Sequence, residues 1–93
     1  MDFDQLTTFI EVAKLGNFSR AGQKVFRSQS AVSAQIRSLE RLTGVRVLER
    51  SRGARSLALT REGAILLRYA TEIVARFEAV AAHLVGGLTP HAR

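Results

Sequence analysis

The sequence predicts a mainly α fold of the winged helix-turn-helix type: a three-helix core, a two-stranded wing and a long linker/dimerisation helix. Three observations predict it. Apolar residues recur at helical spacing in separate segments, each opened by a capping residue. The two middle helices, in FSRAGQKVFRSQSAVSAQIRSLERLTG from Phe18 to Gly44, meet at a tight polar turn, as in a helix-turn-helix. The segment Val45 to Leu59 breaks the helical period with short β-branched and aliphatic runs.

In the first helix Leu6, Phe9, Ile10 and Ala13 form one stripe at i, i+3, i+4 and i+7. Asp4 is its expected N-cap, and Gly16-Asn17 its stop, because glycine accepts the left-handed conformation at a helix end. Ser19 is expected to cap a second helix carrying Ala21, Gly22 and Val25 and ending near Phe26. Ser28 caps the third, whose buried stripe reads Val32, Ile36, Leu39 and Leu42 before Gly44 ends it. Ser30, Ser33, Ala34 and Arg37 point away from that stripe. VRVLERS and RSLALT flank Arg52-Gly53-Ala54, which suits a hairpin turn. Two strands alone are marginal, so the wing must lean on the helices. Phe3, Phe9, Phe18 and Phe26 read as core side chains.

Thr60 opens the last helix, with Glu62 in its first turn, where a negative charge suits the helix dipole. No breaker follows until Gly86-Gly87. Leu66, Ala70, Ile73, Phe77, Val80 and Leu84 are spaced 4, 3, 4, 3, 4, a heptad seam that a second copy of the same helix would cover. Ala64, Ile65, Leu67 and Tyr69 form a second stripe, expected to pack on the N-terminal helices. The organisation is therefore residues 1–59 as one domain, 60–85 as the linker helix and 86–93 as a flexible tail.

Composition narrows the chemistry. Without cysteine there is neither disulfide nor thiolate zinc site. The two histidines, His83 and His91, lie near the C-terminus and form no cluster, so neither metal nor cofactor is expected. No apolar run approaches the ~20 residues of a membrane span, and no secretory signal is visible, so a cytoplasmic setting is expected. Charge is uneven: net −2 over residues 1–19, +8 over 20–61 and zero over 62–93. The whole surplus lies in the segment holding the two-helix motif. Twelve of the fourteen basic residues are arginine, whose planar fork suits phosphates and guanine edges. A localised basic face favours a polyanion partner, although a solvated surface would carry the same charge.

FDQLTTFIEVAKLGNFSRAG, RSQSAVSAQIRSLERLTGVRVLER and LALTREG together resemble the N-terminal DNA-binding domain of LysR-type transcriptional regulators, over residues 3–84. The Phe-Ser-x-Ala block, Ser-Gln-x-Ala-Val-Ser, Leu-Glu-x-x-x-Gly-Val and Leu-Thr-x-x-Gly stand in the family's order and spacing. Four positions depart from the family's usual residues. Ser30 replaces a proline, Ala34 an arginine, Arg27 an apolar residue and Gly22 an alanine. The family's C-terminal effector-binding domain of two α/β lobes has no counterpart here, so the chain reads as an excised domain or a naturally short protein.

The resemblance implies a dimeric, sequence-specific binder of double-stranded DNA, on a partly palindromic operator. Its recognition helix would enter the major groove and its wing the flanking backbone or minor groove. Gln29 leads the readout: its amide donates and accepts at once, as adenine requires in the major groove. Otherwise it is an exposed glutamine beside a cap. Ser30, Ser33 and Arg37 share its face or border it, and Ala34 offers a methyl group to thymine. Arg37 reads equally as a solvated charge, and Ser28 divides between capping and a phosphate contact. Ser19 and Arg20 open the second helix, whose free N–H groups suit a phosphate. Arg50, Arg52 and Arg55 surround the wing turn, where one of them can instead pair with Glu49.

Two other classes compete. A dimerising adaptor would use the heptad helix and bind DNA weakly or not at all. An enzyme is disfavoured, because the chain has no cysteine, no clustered acid pair and no glycine-rich phosphate loop. A membrane-surface role for 61–85 conflicts with its mixed, balanced charge, and no small-molecule site is expected.

Overall fold

The computed structural model describes residues 1–49 and 57–88. The expected wing turn, with Arg50, Arg52 and Arg55, and the last five residues of the expected tail lie outside the described residues. Helix α1 spans Phe3–Leu15 and is capped by Asp2, not Asp4. Asp2 Oδ1 accepts the Gln5 N–H at 2.8 Å, and Gln5 Oε1 accepts the Asp2 N–H at 3.2 Å. A capping box needs a glutamine or glutamate three residues on; Asp2 has Gln5, whereas Asp4 has Thr7. Gly16 closes α1 at φ 64°.

Helix α2, Phe18–Val25, follows at once, so its cap falls on Asn17 rather than Ser19. Asn17 Oδ1 accepts the Arg20 N–H at 2.9 Å. The helix ends at Phe26, a bulky residue with φ 60°. That left-handed turn carries Phe26 out into solvent, 94% exposed, and not into the core. Phe9 is fully buried, Phe18 packs at the edge of the core, and Phe3 stands at the surface against Phe77, with ring centroids 4.4 Å apart.

Helix α3 spans Gln29–Thr43, between the expected Ser28 cap and Gly44 at φ 76°. Val32, Ile36 and Leu39 are fully buried, but Leu42 is exposed. The buried stripe continues four residues past Leu39, through half-buried Thr43, leaving Leu42 on the flank. These residues join Phe9, Val12, Ala21, Val47 and Leu48 in one core.

Strands β1, Leu48–Glu49, and β2, Ala58–Leu59, pair antiparallel with Leu48 opposite Leu59. As expected of so small a sheet, it is held from outside. The Leu57 N–H donates to the Gly16 carbonyl at 3.0 Å, and the Glu40 carboxylate accepts the N–H groups of Val47 at 2.9 Å and Leu48 at 3.4 Å.

Helix α4, Arg61–Leu88, starts at Thr60, whose Oγ1 accepts the Gly63 N–H at 2.9 Å and donates to the Arg46 carbonyl at 2.6 Å. A Cβ on Gly63 would collide with the Val47 carbonyl oxygen, so α4 passes against the wing at backbone distance. The helix continues through Gly86 and Gly87 to Leu88, past the expected break. Glycine weakens a helix by about 1 kcal/mol without forbidding it.

The two stripes of α4 divide differently from the sequence expectation. Ala70 is fully buried against Leu6 and Ile10 of α1, and Leu66 and Leu67 pack against both core clusters. Ala64, Ile65 and Tyr69, expected on the core, are exposed. Leu66 and Ala70 therefore leave the expected dimer seam for the inside of the chain. The exposed stripe that remains is Ile65, Tyr69, Ile73, Phe77, Val80 and Leu84.

Candidate nucleic-acid interface

The site begins with the route into α3. Arg27, in the turn, donates from its backbone N–H to the Gly22 carbonyl at 2.8 Å. A Cβ on Gly22 would meet the Arg27 carbonyl oxygen, so the turn closes on α2 with no room for the usual alanine. Two departures from the family pattern thus touch each other. The Arg27 side chain, where an apolar residue is usual, lies outside and pairs with Asp4 at 2.5 Å. The same Asp4 Oδ2 accepts the Gln35 side-chain amide of α3 at 2.8 Å. One carboxylate at the start of α1 therefore ties down both the turn and the third helix. One turn further along the same side of α3, the Gln5 amide donates to Ser38 Oγ at 3.1 Å.

Held this way, α3 turns its apolar side inward and its polar side out. Gln29, Ser30, Ala34 and Arg37 are exposed, and Ser33 is half-buried. Ser28 Oγ caps α3, accepting the Ala31 N–H at 3.1 Å, and lies 3.3 Å from Ser30 Oγ. Arg37 donates to Ser33 Oγ at 3.1 Å, one turn back along the same face. Among the described residues Gln29 has no hydrogen-bond partner, so both ends of its amide remain available.

Ser19 and Arg20 stand exposed in the first turn of α2. Asn17 already occupies the Arg20 N–H, so this helix start offers one donor fewer to an anion than a bare terminus. The structure brings the α3 residues together on one face. The wing arginines Arg50, Arg52 and Arg55 fall outside the described residues.

Sequence reasoning missed the roles of Asp4, Gln35 and Glu40, which hold the site without lying on it. Arg27 was the available signal: a cation in a usually apolar position calls for a partner. Glu40 is the other. Its carboxylate, sheltered beside the wing, gathers the N–H groups of Val47 and Leu48 at the start of β1 and lies 3.8 Å from Arg46 Nε.

Residues 3–64 match the family described as bacterial regulatory helix-turn-helix protein, lysR family. The chain belongs to that family. It is 39% identical over 79 residues to the HTH-type transcriptional regulator HdfR of Escherichia coli O139:H28, covering 85% of this chain and 28% of the regulator. This chain thus spans less than a third of that regulator's length. Among solved structures, the fold matches the BenM DNA-binding domain in complex with benA site 1 DNA, with a TM-score of 0.87 and 27% identity, covering 98% of this chain and all of that one. It also matches the CbnR domain in its DNA complex, with a TM-score of 0.85 and 32% identity, over 96% of this chain and 100% of that domain.

Proposed function

We propose that this chain is the DNA-binding portion of a LysR-type transcription regulator, acting as a homodimer joined through α4. It works by binding, not by catalysis, on double-stranded DNA in the cytoplasm. The observation that carries the reading is the free first turn of α3. Gln29 stands exposed and unpartnered among the described residues, on a fold that matches domains from two DNA complexes along almost its entire length.

Gln29 reads a base edge in the major groove, with Ser30, Ser33 and Ala34 beside it. Arg37, Ser19, Arg20 and Ser28 serve phosphates and fix the register, and Arg50, Arg52 and Arg55 add charge for the flanking backbone or minor groove. The exposed apolar stripe of α4 supplies the second subunit, which presents two recognition helices to two half-sites. No described helix is long and apolar enough to cross a membrane.

Selection of bound sequences from a random DNA pool tests it, because half-sites and their spacing emerge together. On the selected site Gln29→Ala should cost ~1–3 kcal/mol, with little change on random DNA. Equal losses on both would remove Gln29 from base readout. A pool that yields no enriched sequence would count against the function itself.

A further inference from the structure

The polar face of α3 does not stop at Arg37. Ser30, Ala34, Arg37 and Arg41 are spaced 4, 3, 4, a single stripe along the helix. Arg41 is exposed and has no hydrogen bond or ion pair among the described residues. Just past the helix end Arg46 is also exposed. Arg37, Arg41 and Arg46 line one open cleft with Glu40, Gly44 and Val45. Glu40, the one carboxylate among the cleft's described residues, accepts the Val47 and Leu48 N–H groups and lies 3.8 Å from Arg46 Nε, while Arg37 and Arg41 have no ion pair among the described residues.

Length decides what such a cleft would meet. From Gln29 to Arg41 is twelve residues, about 18 Å of helix rise. The major groove is about 12 Å wide. A helix with its first turn among the bases must carry its last turn out over the bordering backbone. We propose that Arg41 and Arg46, with Arg37, form a phosphate clamp at the exit of the recognition helix, supplying affinity without sequence preference. The clamp rests on the DNA reading above and extends the footprint beyond the residues assigned there. An acidic protein segment would satisfy the same charges. Continuity with the Ser33–Arg37 face, linked at 3.1 Å, favours DNA.

The test is DNA binding by the full chain across a salt series, on the selected site and on random duplex. Arg41→Gln with Arg46→Gln should weaken both by the same factor, on the order of tenfold at ~0.1 M salt, and flatten the log–log salt slope by about 1.8. Arg41→Gln alone should flatten it by about 0.9 with an unchanged thermal midpoint, since Arg41 has no ion pair among the described residues. The clamp is overturned if the slope stays at the parent value while the parent binds DNA. It is also overturned if the loss is confined to the selected site, which would mean base readout. A parent chain that binds no DNA would bring down the functional reading first and the clamp with it.

Discussion

Helices α3 and α4 are both amphipathic, and both bury one face against the same small core. They differ in what they leave outside. The outer face of α3 carries serine, glutamine, alanine and arginine; the outer face of α4 carries Ile65, Tyr69, Ile73, Phe77, Val80 and Leu84. A cationic, hydrogen-bonding ridge is well solvated alone and waits for a polyanion. A continuous apolar stripe is costly in water and calls for a partner that removes it from solvent. The buried faces of the two helices specify one fold. Their exposed faces specify two different kinds of company.

The largest effect should come from charging the α4 stripe. Ile73→Glu with Val80→Glu removes two apolar side chains from the proposed dimer seam, at about 3–6 kcal/mol of association, while leaving the monomer folded. Sedimentation equilibrium should find monomers where the parent forms dimers. A dimeric double variant would move the interface elsewhere. On α3 the same contrast can be made between neighbours. Ile36→Ala, at a fully buried site, should lower unfolding stability by about 2–5 kcal/mol, whereas Arg37→Ala, on the open face, should stay within ~0.5 kcal/mol. Urea unfolding measures both, and similar losses would mean that Arg37 is part of the packing.

Gly22→Ala restores the family's usual residue, yet should destabilise this chain by about 1–3 kcal/mol, because its Cβ meets the Arg27 carbonyl. A neutral or raised melting temperature would show that the turn yields freely. Asp4→Asn should have a small effect. Its half-exposed pair with Arg27 is worth about 0–1 kcal/mol, and the difference from the parent should fade at high salt. A salt-independent loss would point to the Gln35 hydrogen bond as the larger part.

Local chemistry made some features plain. Ser28, Gly16, Gly44 and Thr60 mark helix ends because a hydroxyl cap or a left-handed glycine acts within one turn of chain. The Val32, Ile36 and Leu39 stripe, and the Gln29 to Arg37 face opposite it, follow from helical period alone. Other features lay beyond local reading. Asp2 and Asp4 are both competent caps, and only the reciprocal bond with Gln5 selects Asp2. Phe26 looks like core until its left-handed backbone turns it outward.

The sequence by itself determined how many helices form, where two of them join, and that the surplus positive charge gathers around that junction, because helical period, capping and charge are properties of neighbouring residues. Tertiary structure alone decided which of two adjacent α4 stripes faces inward. Residues 65 and 69, or 66 and 70, continue the distal seam almost equally well along an isolated helix. The contact of α1, through Leu6 and Ile10, buries Ala70 and leaves Ile65 and Tyr69 outside. The same packing brought Asp4, Arg27 and Gln35 to one carboxylate, a meeting across 31 residues that no periodicity encodes.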